Sequence, residues 1–437
     1  MTTPSSDDGD PVSASGPHAH GGAPQPARLG DLFRVRTPNG QHRVTFVELF
    51  FDLVFVFAVT QISHTLLGDF SVGGVLRASF LMLAVWWVWV FTSWATNWLD
   101  PERTPVRLLL FGLMVAGIAL SMSIPEAFGA RGLVFAVAYT GTQVGRTLFM
   151  YFAVRRADRA LARNWERVLA WVVTPSALWI LGGFAAGSTR VALFGAALGV
   201  EYLGPAVRFW VPRLGASDVR EWSIEGGHLA ERCALFVIIA LGESLLVTGA
   251  AFAKTPWTAP SIGAFSAAFV AQIAMWWIYF DRGAEHGSEL IRRSAVPGQL
   301  GRLAYTYLHL PIVASIVLTA VADELVLAVP LGGVDTARAI AFLGGPLLYL
   351  LGVQLFKYAI REMLQFSHLL GITLSLALLP FVKRLSPLAL MSTTTAILLL
   401  VAVWESVSIR RGPLRSRKQR RADAEARRRA AEDAAPP

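Results

Sequence analysis

Long apolar runs alternate with short polar segments along most of the chain. The runs are about 17 to 23 residues long, the length at which an α-helix crosses the roughly 30 Å hydrocarbon core of a bilayer. Because the runs are continuous rather than alternating, they exclude a β-barrel. The pattern predicts an all-α, polytopic membrane helix bundle with about twelve transmembrane helices. The predicted spans are approximately 45–67, 76–98, 106–124, 132–153, 168–187, 190–209, 230–251, 262–281, 303–321, 337–356, 367–382 and 387–406.

The two ends of the chain differ from this apolar middle. Residues 1–40 are rich in Pro, Gly, Ser and Ala and lack apolar periodicity, so we expect a disordered tail. Residues 41–406 form the predicted transmembrane domain. Residues 407–437 form a basic, Ala-rich tail that holds ten of the 39 Lys and Arg residues. We expect this basic tail to contact anionic lipids at the membrane surface.

Composition and charge agree with a membrane protein and set its expected orientation. Of the 437 residues, 54% are hydrophobic and 16% are charged, against about 25% charged in soluble domains. The net charge of +9 lies largely beside the last predicted span, where basic residues serve topology and lipid contact, so we expect no nucleic-acid partner. With twelve spans, 30 of the 39 basic residues lie on one side, and the positive-inside rule predicts both termini in the cytoplasm.

Similar motifs recur six predicted helices apart. The segment Trp86–Val90 in the second helix resembles Trp276–Phe280 in the eighth, and the first and seventh helices both open with a glutamate, Glu48 and Glu231. An even offset gives both halves the same orientation in the membrane. The sequence therefore favours two parallel six-helix repeats, with any central site between them. The two halves cover about 45–209 and 228–406.

Polar side chains inside the apolar runs are the most informative positions, because they are costly in a bilayer unless they are paired or hydrated. On the first helix, Glu48, Asp52, Thr60 and Ser63 form one stripe at about 100° per residue. This stripe indicates a face that handles protons or cations. The alternative is structural: Glu48 caps the helix or reaches the headgroups, and Asp52 pairs with an arginine.

The seventh and fourth helices carry the remaining candidate residues. His228, Arg232 and Glu243 fall within about 60° of one another on the seventh helix, with Glu231 beside them. Glu243 is either a protonatable coupling residue or a member of an ion pair. Arg146 is either a clamp for an anionic substrate or a structural counter-ion, and it needs a carboxylate or water. We predict no catalytic residue, no metal site and no cofactor. The carboxylates considered for Arg146 are Asp52, Glu201 and Glu243.

Two long segments carry the most distinctive motifs of the chain. They are VTFVELFFDLVFVFAVTQISH, from Val44 to His64, and HLAERCALFVIIALGESLLVTGA, from His228 to Ala250. Together they resemble the bacterial low temperature requirement A family, over about residues 40–405. The resemblance implies a multi-pass protein of the bacterial plasma membrane, and it implies no settled biochemical activity or residue roles. The motif positions are Glu48, Phe51, Asp52, His64, His228, Glu231, Arg232, Gly242, Glu243 and Ser244.

Three functions are consistent with these features. The leading hypothesis is a secondary transporter or permease of an ion or small solute, with a midplane site between the halves and carboxylates that take protons. No G-x-x-x-x-G-K-[ST] motif is present, which disfavours ATP-driven transport within this chain. The alternatives are a cation channel lined by the first and seventh helices and a membrane-embedded lipid-modifying enzyme. Enzyme activity ranks last. The bilayer is the expected partner, and homo-oligomer formation and the solute are left open.

Overall fold

The chain is helical in the computed structural model. The structure describes residues 32–34, 43–156, 158–217, 225–281, 297–361 and 364–410. Within these ranges there is no β-strand beyond two isolated bridges, Phe33 with Leu99 and Val211 with Gly215. The predicted all-α class is therefore confirmed.

Twelve helices of twelve residues or more follow one another in the described ranges. The first six are α1 (Phe46–Gly68), α2 (Val72–Trp98), α3 (Thr104–Ser123), α4 (Gly132–Val154), α5 (Arg159–Phe184) and α6 (Gly187–Ala206). The others are α7 (Gly226–Ala253), α8 (Ala259–Phe280), α9 (His309–Ala328), α10 (Thr336–Arg361), α11 (Phe366–Ala377) and α12 (Pro387–Arg410). A short helical segment, Pro297–Leu300, and a π-helical segment, Gly301–Tyr307, precede α9.

Nine of the described helices are long and apolar enough to cross a membrane. Helix α11 is too short, with 12 residues, and α4 and α6 carry polar side chains such as Arg146 and Glu201 that lower their hydropathy. Large apolar side chains such as Val115 and Leu246 are mostly exposed, 71% and 69%, which is typical of a lipid-facing surface. A polytopic membrane bundle is confirmed, whereas the count of about twelve spans stays a prediction.

Polar residues just before the helices define where several of them begin. The sequence Thr-x-x-Glu at Thr45 to Glu48 forms a capping box at the start of α1, where Glu48 Oε2 accepts from the Thr45 backbone N–H at 3.0 Å. Helix α2 begins after Ser71, whose hydroxyl accepts from the Gly74 backbone N–H at 3.1 Å. Such caps satisfy N–H groups that the first turn of a helix leaves unpaired.

Helices α1, α7 and α9 pack against one another, and α2 lies beside α1 and α7. Helices α1 and α7 run in the same direction, because residues near their starts contact each other and residues farther along both helices also contact each other. His228 near the start of α7 contacts Glu48 near the start of α1, and farther along Glu243 contacts Thr60. This packing places the first helices of the two predicted halves side by side. The term α1–α7 seam is used below for this contact.

Candidate functional site

Four of the predicted site residues meet in one buried network at the beginning of the α1–α7 seam. Glu48, Asp52, His228 and Arg232 are each at most 1% exposed. Arg232 donates from Nε to Asp52 Oδ2 at 3.1 Å and from Nη1 to Glu48 Oε1 at 3.2 Å, and its Nη2 also pairs with Asp52. His228 Nε2 lies 3.0 Å from Glu48 Oε1. The structure thus brings these charges of both signs together.

Helix α2 supplies partners to which the sequence analysis gave no role in a site. Trp89 Nε1 donates to Asp52 Oδ1 at 2.7 Å, and Thr96 Oγ1 accepts from Arg232 Nη1 at 3.0 Å. Both residues lie in the second half of α2, which runs antiparallel to α1. The Trp-rich stretch was visible in the sequence, but the direction of the indole N–H toward a carboxylate depends on how the helices pack.

A second arginine enters the network from outside the helices. Arg34 Nη2 donates to Glu48 Oε2 at 2.9 Å, and its Nε donates to the carbonyl oxygens of Thr96 and Leu99 at 3.0 Å each. Arg34 belongs to the segment 1–40, in which no periodic pattern marks a buried residue. The network therefore contains two carboxylates and two guanidinium groups, whose formal charges balance.

Glu231 lies at the edge of the network and is half-buried. Its Oε2 accepts from the backbone N–H of Val44 at 3.3 Å, just before α1 begins. Glu231 therefore contacts the chain that leads into α1 and has no direct bond to Arg232. Its prediction as an ion-binding residue stays a prediction.

Glu243 lies farther along the α1–α7 seam, outside the network. Its Oε1 accepts from Thr60 Oγ1 at 3.1 Å, and together with Ser63 and Ser244 these side chains line a small cavity, called the Glu243 cavity below. Glu243 follows Arg232 by eleven positions on α7, which is about 16 Å along the helix axis. The two polar regions of the seam are therefore distinct.

Apolar side chains occupy the turns between these two polar regions. On α1 they are Phe55 and Val56, and on α7 they are Phe236 and Val237, all of them at most 1% exposed. Close packing of this kind leaves little room for water. Along the two helices, buried apolar positions thus separate the network from the residues of the Glu243 cavity.

Arg146 lies away from the seam, buried in α4. Its Nη2 donates to Gln143 Oε1 at 2.6 Å, and its Nη1 donates to Thr92 Oγ1 at 3.2 Å and to the Val88 carbonyl at 3.3 Å. Among the residues that the structure describes, it forms no ion pair with any of the three carboxylates considered for it. Gln143 bridges to one of them, because its Nε2 donates to Glu201 Oε2 at 3.3 Å. A neutral amide, a hydroxyl and a carbonyl thus replace the expected carboxylate.

An aromatic cavity lies where residues of the two predicted halves meet. It has a volume of about 60 Å³ and is partly open to the outside. Its wall connects with the network: Trp86 Nε1 donates to the Thr306 carbonyl at 2.7 Å, the rings of Trp86 and Trp89 are 4.8 Å apart, and Trp89 binds Asp52. The lining residues include Trp87, Phe91, Trp94, Phe209, Arg302 and Tyr307.

The network is arranged for charge pairing. Each of its four carboxylate oxygens faces at least one donor, from Arg34, Thr45, Trp89, His228 or Arg232. Such a network links α1 to α7, and removal of one of its charges is costly because the partner charge is left buried and unpaired. In the part of the chain that the structure describes, no group of three or more His, Cys, Asp or Glu side chains is placed to hold a metal ion.

Comparisons with known proteins cover nearly the whole helical region. The family model described as bacterial low temperature requirement A protein matches residues 43–403. An uncharacterized protein of Rhizobium meliloti (strain 1021) is 45% identical over 379 residues, which cover 85% of this chain and 90% of that protein. No solved structure matches the chain. The matched residues include the buried network on α1 and α7, Arg146 and the Glu243 cavity.

Proposed function

The chain belongs to the bacterial low temperature requirement A family, and from that premise we propose that it is a secondary transporter of a small solute or ion in the bacterial plasma membrane. The observation that carries the proposal is the polar α1–α7 seam, with the buried network at one end and the Glu243 cavity farther along. Ionisable side chains inside membrane segments are costly, and they typically mark pathways for substrates and ions.

Transport is favoured over channel conduction because buried apolar positions interrupt the polar residues along the seam. A channel conducts through a continuous wet path, whereas a transporter opens its site to one side of the membrane at a time. Phe55 and Phe236 lie between the network and the Glu243 cavity, and both are 1% exposed. In the proposed cycle the paired charges hold one side shut, and their separation opens that side.

The packing of the helices supports two parallel six-helix repeats. Helix α1 packs against α3 as α7 packs against α9, and α3 packs against α4 as α9 packs against α10. Helices α5 and α6 also pack together, as α11 and α12 do. Transporters built from repeats bind their substrates near the repeat interface, and the α1–α7 seam occupies that position. We retain twelve spans and cytoplasmic termini as part of this proposal.

The aromatic cavity is the place that we assign to an organic solute. Concave, largely apolar cavities with a few polar groups are the usual sites for small molecules, and from its volume of about 60 Å³ this cavity must widen to hold an organic solute. Arg302 on its wall suits a negatively charged group, and the aromatic rings suit an apolar body. The cavity residue Thr306 contacts Trp86, which packs on Trp89, and Trp89 donates a hydrogen bond to Asp52. A solute bound in the cavity would therefore alter the surroundings of Asp52 through these contacts.

The lipid-modifying enzyme finds less support from the same geometry. A catalytic carboxylate or imidazole must reach its substrate, whereas Glu48, Asp52 and His228 are at most 1% exposed. Their polar atoms are also engaged with one another and with arginines.

The test is ion-driven current in liposomes, measured by solid-supported membrane electrophysiology under K⁺, Na⁺ and pH gradients. We expect current from the wild type and from Asp69→Asn, a control at an exposed carboxylate outside the helices. Asp52→Asn should lose the current while remaining folded, because an amide cannot carry the charge that pairs with Arg232. Full activity in Asp52→Asn would refute the assignment of Asp52, and currents far above transporter turnover would identify a channel.

A further inference from the structure

A further buried carboxylate, Asp323 on α9, lies close to the Glu243 cavity. Its Oδ2 accepts from Thr248 Oγ1 of α7 at 3.1 Å and from Gln272 Nε2 of α8 at 3.2 Å. Gln272 Nε2 also donates to Ser244 Oγ at 2.6 Å, and Ser244 lines the cavity. Three helices therefore converge on Asp323, which is 0% exposed, and the partners that they offer are neutral.

The charged groups nearest to Asp323 do not pair with it. On α9 itself Glu324 is adjacent, and it interacts electrostatically with His64 of α1 and Lys254 at the end of α7. Glu243 of α7 bonds to a hydroxyl on α1. Within the described ranges, Asp323 thus has no cationic partner.

Several titratable side chains on the other helices that pack near α9 are engaged elsewhere. These pairs are Arg77 with Asp69, Tyr279 with His309, Arg338 with Asp335, Tyr349 with the Met275 carbonyl, and Lys357 with Glu405. An ionised Asp323 would therefore be a buried charge without a counter-ion, which is costly in a bilayer.

Two buried acceptor atoms in this cluster, Asp323 Oδ1 and Gln272 Oε1, have no donor among the residues that the structure describes. Buried polar groups in a membrane normally find partners inside the protein. A proton on Asp323 Oδ1 would make this oxygen a hydrogen-bond donor. The acceptor would be Gln272 Oε1, which belongs to the same amide group whose Nε2 already donates to Asp323 Oδ2. A carboxylic acid and a primary amide can pair in this way through two hydrogen bonds, and a proton on Oδ1 supplies the donor that Gln272 Oε1 lacks.

We propose that Asp323 is the proton-binding site of this protein, held as a neutral acid by Gln272 and Thr248. Release of the proton from Oδ1 to water breaks one O–H bond and its return re-forms that bond, and Ser244, which accepts a hydrogen bond from Gln272, connects the acid with the Glu243 cavity. Ala320, one helical turn from Asp323, and Ser244 line that cavity. The coupling of this proton to solute movement rests on the proposed transport function, whereas the protonation itself does not.

Infrared spectroscopy of the full-length protein in liposomes at neutral pH tests the proposal. A protonated carboxyl group has a C=O stretching band separate from those of amides and ionised carboxylates. We expect a wild-type band that shifts on exchange into D₂O, disappears in Asp323→Asn and persists in Asp69→Asn. Gln272→Met should keep the band but move it, because the acid loses its amide partner.

Identical spectra of the wild type and folded Asp323→Asn in this region would overturn the proposal. If Asp323→Asn does not fold, the comparison of the wild type with Gln272→Met still tests the proposal. The proposal is then overturned if no carboxyl band differs in position between these two proteins. A band that Na⁺ abolishes at constant pH would also overturn it, in favour of a metal cation. The infrared experiment measures no transport, so a negative result there overturns the proton site and leaves the transport proposal unaffected. A negative result in the Asp52→Asn current measurement likewise leaves the proton site unaffected.

Discussion

Replacement of Arg232 by methionine tests whether the buried network holds α1 and α7 together. Methionine keeps an apolar stem but removes the guanidinium that binds two carboxylates. Glu48 retains Arg34 as a cationic partner. Asp52 retains only the neutral Trp89 N–H among its hydrogen-bond donors in the described part of the chain.

The expected effect of Arg232→Met is large because Asp52 becomes a buried carboxylate without a counter-ion. Removal of one partner from a buried ion pair costs about 3–5 kcal/mol of unfolding free energy. This corresponds to a factor of about 10² to 10⁴ in the unfolding equilibrium. The double variant Asp52→Asn/Arg232→Met removes both charges, so it should lose less stability than Arg232→Met alone. Pairs in direct contact typically depart from additivity by about 0.5–3 kcal/mol.

Equilibrium unfolding in mixed micelles, followed by tryptophan fluorescence, measures these differences, and the chain has 14 tryptophans as reporters. Arg77→Met is the matched control, since Arg77 pairs with Asp69 at 3.4 Å where both side chains are exposed. Exposed pairs contribute little to stability, so this control should change little. A loss below about 1 kcal/mol in Arg232→Met would refute the reasoning, and so would strict additivity in the double variant.

Two further substitutions test the packing around the candidate sites. Trp89→Phe keeps an aromatic ring but removes the N–H that Asp52 accepts, and it should lower the unfolding free energy by about 1.5–3 kcal/mol; unchanged stability would contradict this role. Gly345→Ala places a Cβ 2.6 Å from Thr319 Oγ1 and should destabilise by about 1–3 kcal/mol. Gly249→Ala meets nothing within 4 Å and should cause no loss, so equal effects of the two alanines would contradict the close approach of α9 and α10.

The charged residues on α1 and α7 were predictable because their signal is local. Glu48 and Asp52 stand inside an apolar run at helical spacing, and His228 and Arg232 do so on a second run. Glu48 also shows that the two interpretations were not exclusive, since it caps α1 through Thr45 and belongs to the buried network as well.

Asp323 was missed because the predicted ninth span ends at residue 321. Asp323 and Glu324 lie beyond that boundary, and carboxylates are unfavourable in a bilayer. In the structure α9 continues to Ala328, and Thr248 and Gln272 donate hydrogen bonds to the carboxylate. Those donors lie on other helices, so a pattern along one helix does not reveal them.

The sequence by itself determined the class of this protein, because the length and composition of an apolar run decide whether a helix can lie in a bilayer. It also determined the family and the charged faces of α1 and α7. The tertiary structure decided which charges meet. Arg232 pairs with Asp52, Arg34 joins from a segment without periodicity, and Arg146 binds an amide instead of a carboxylate. Pairing between helices depends on their relative position and rotation, which only the packing of the whole bundle establishes.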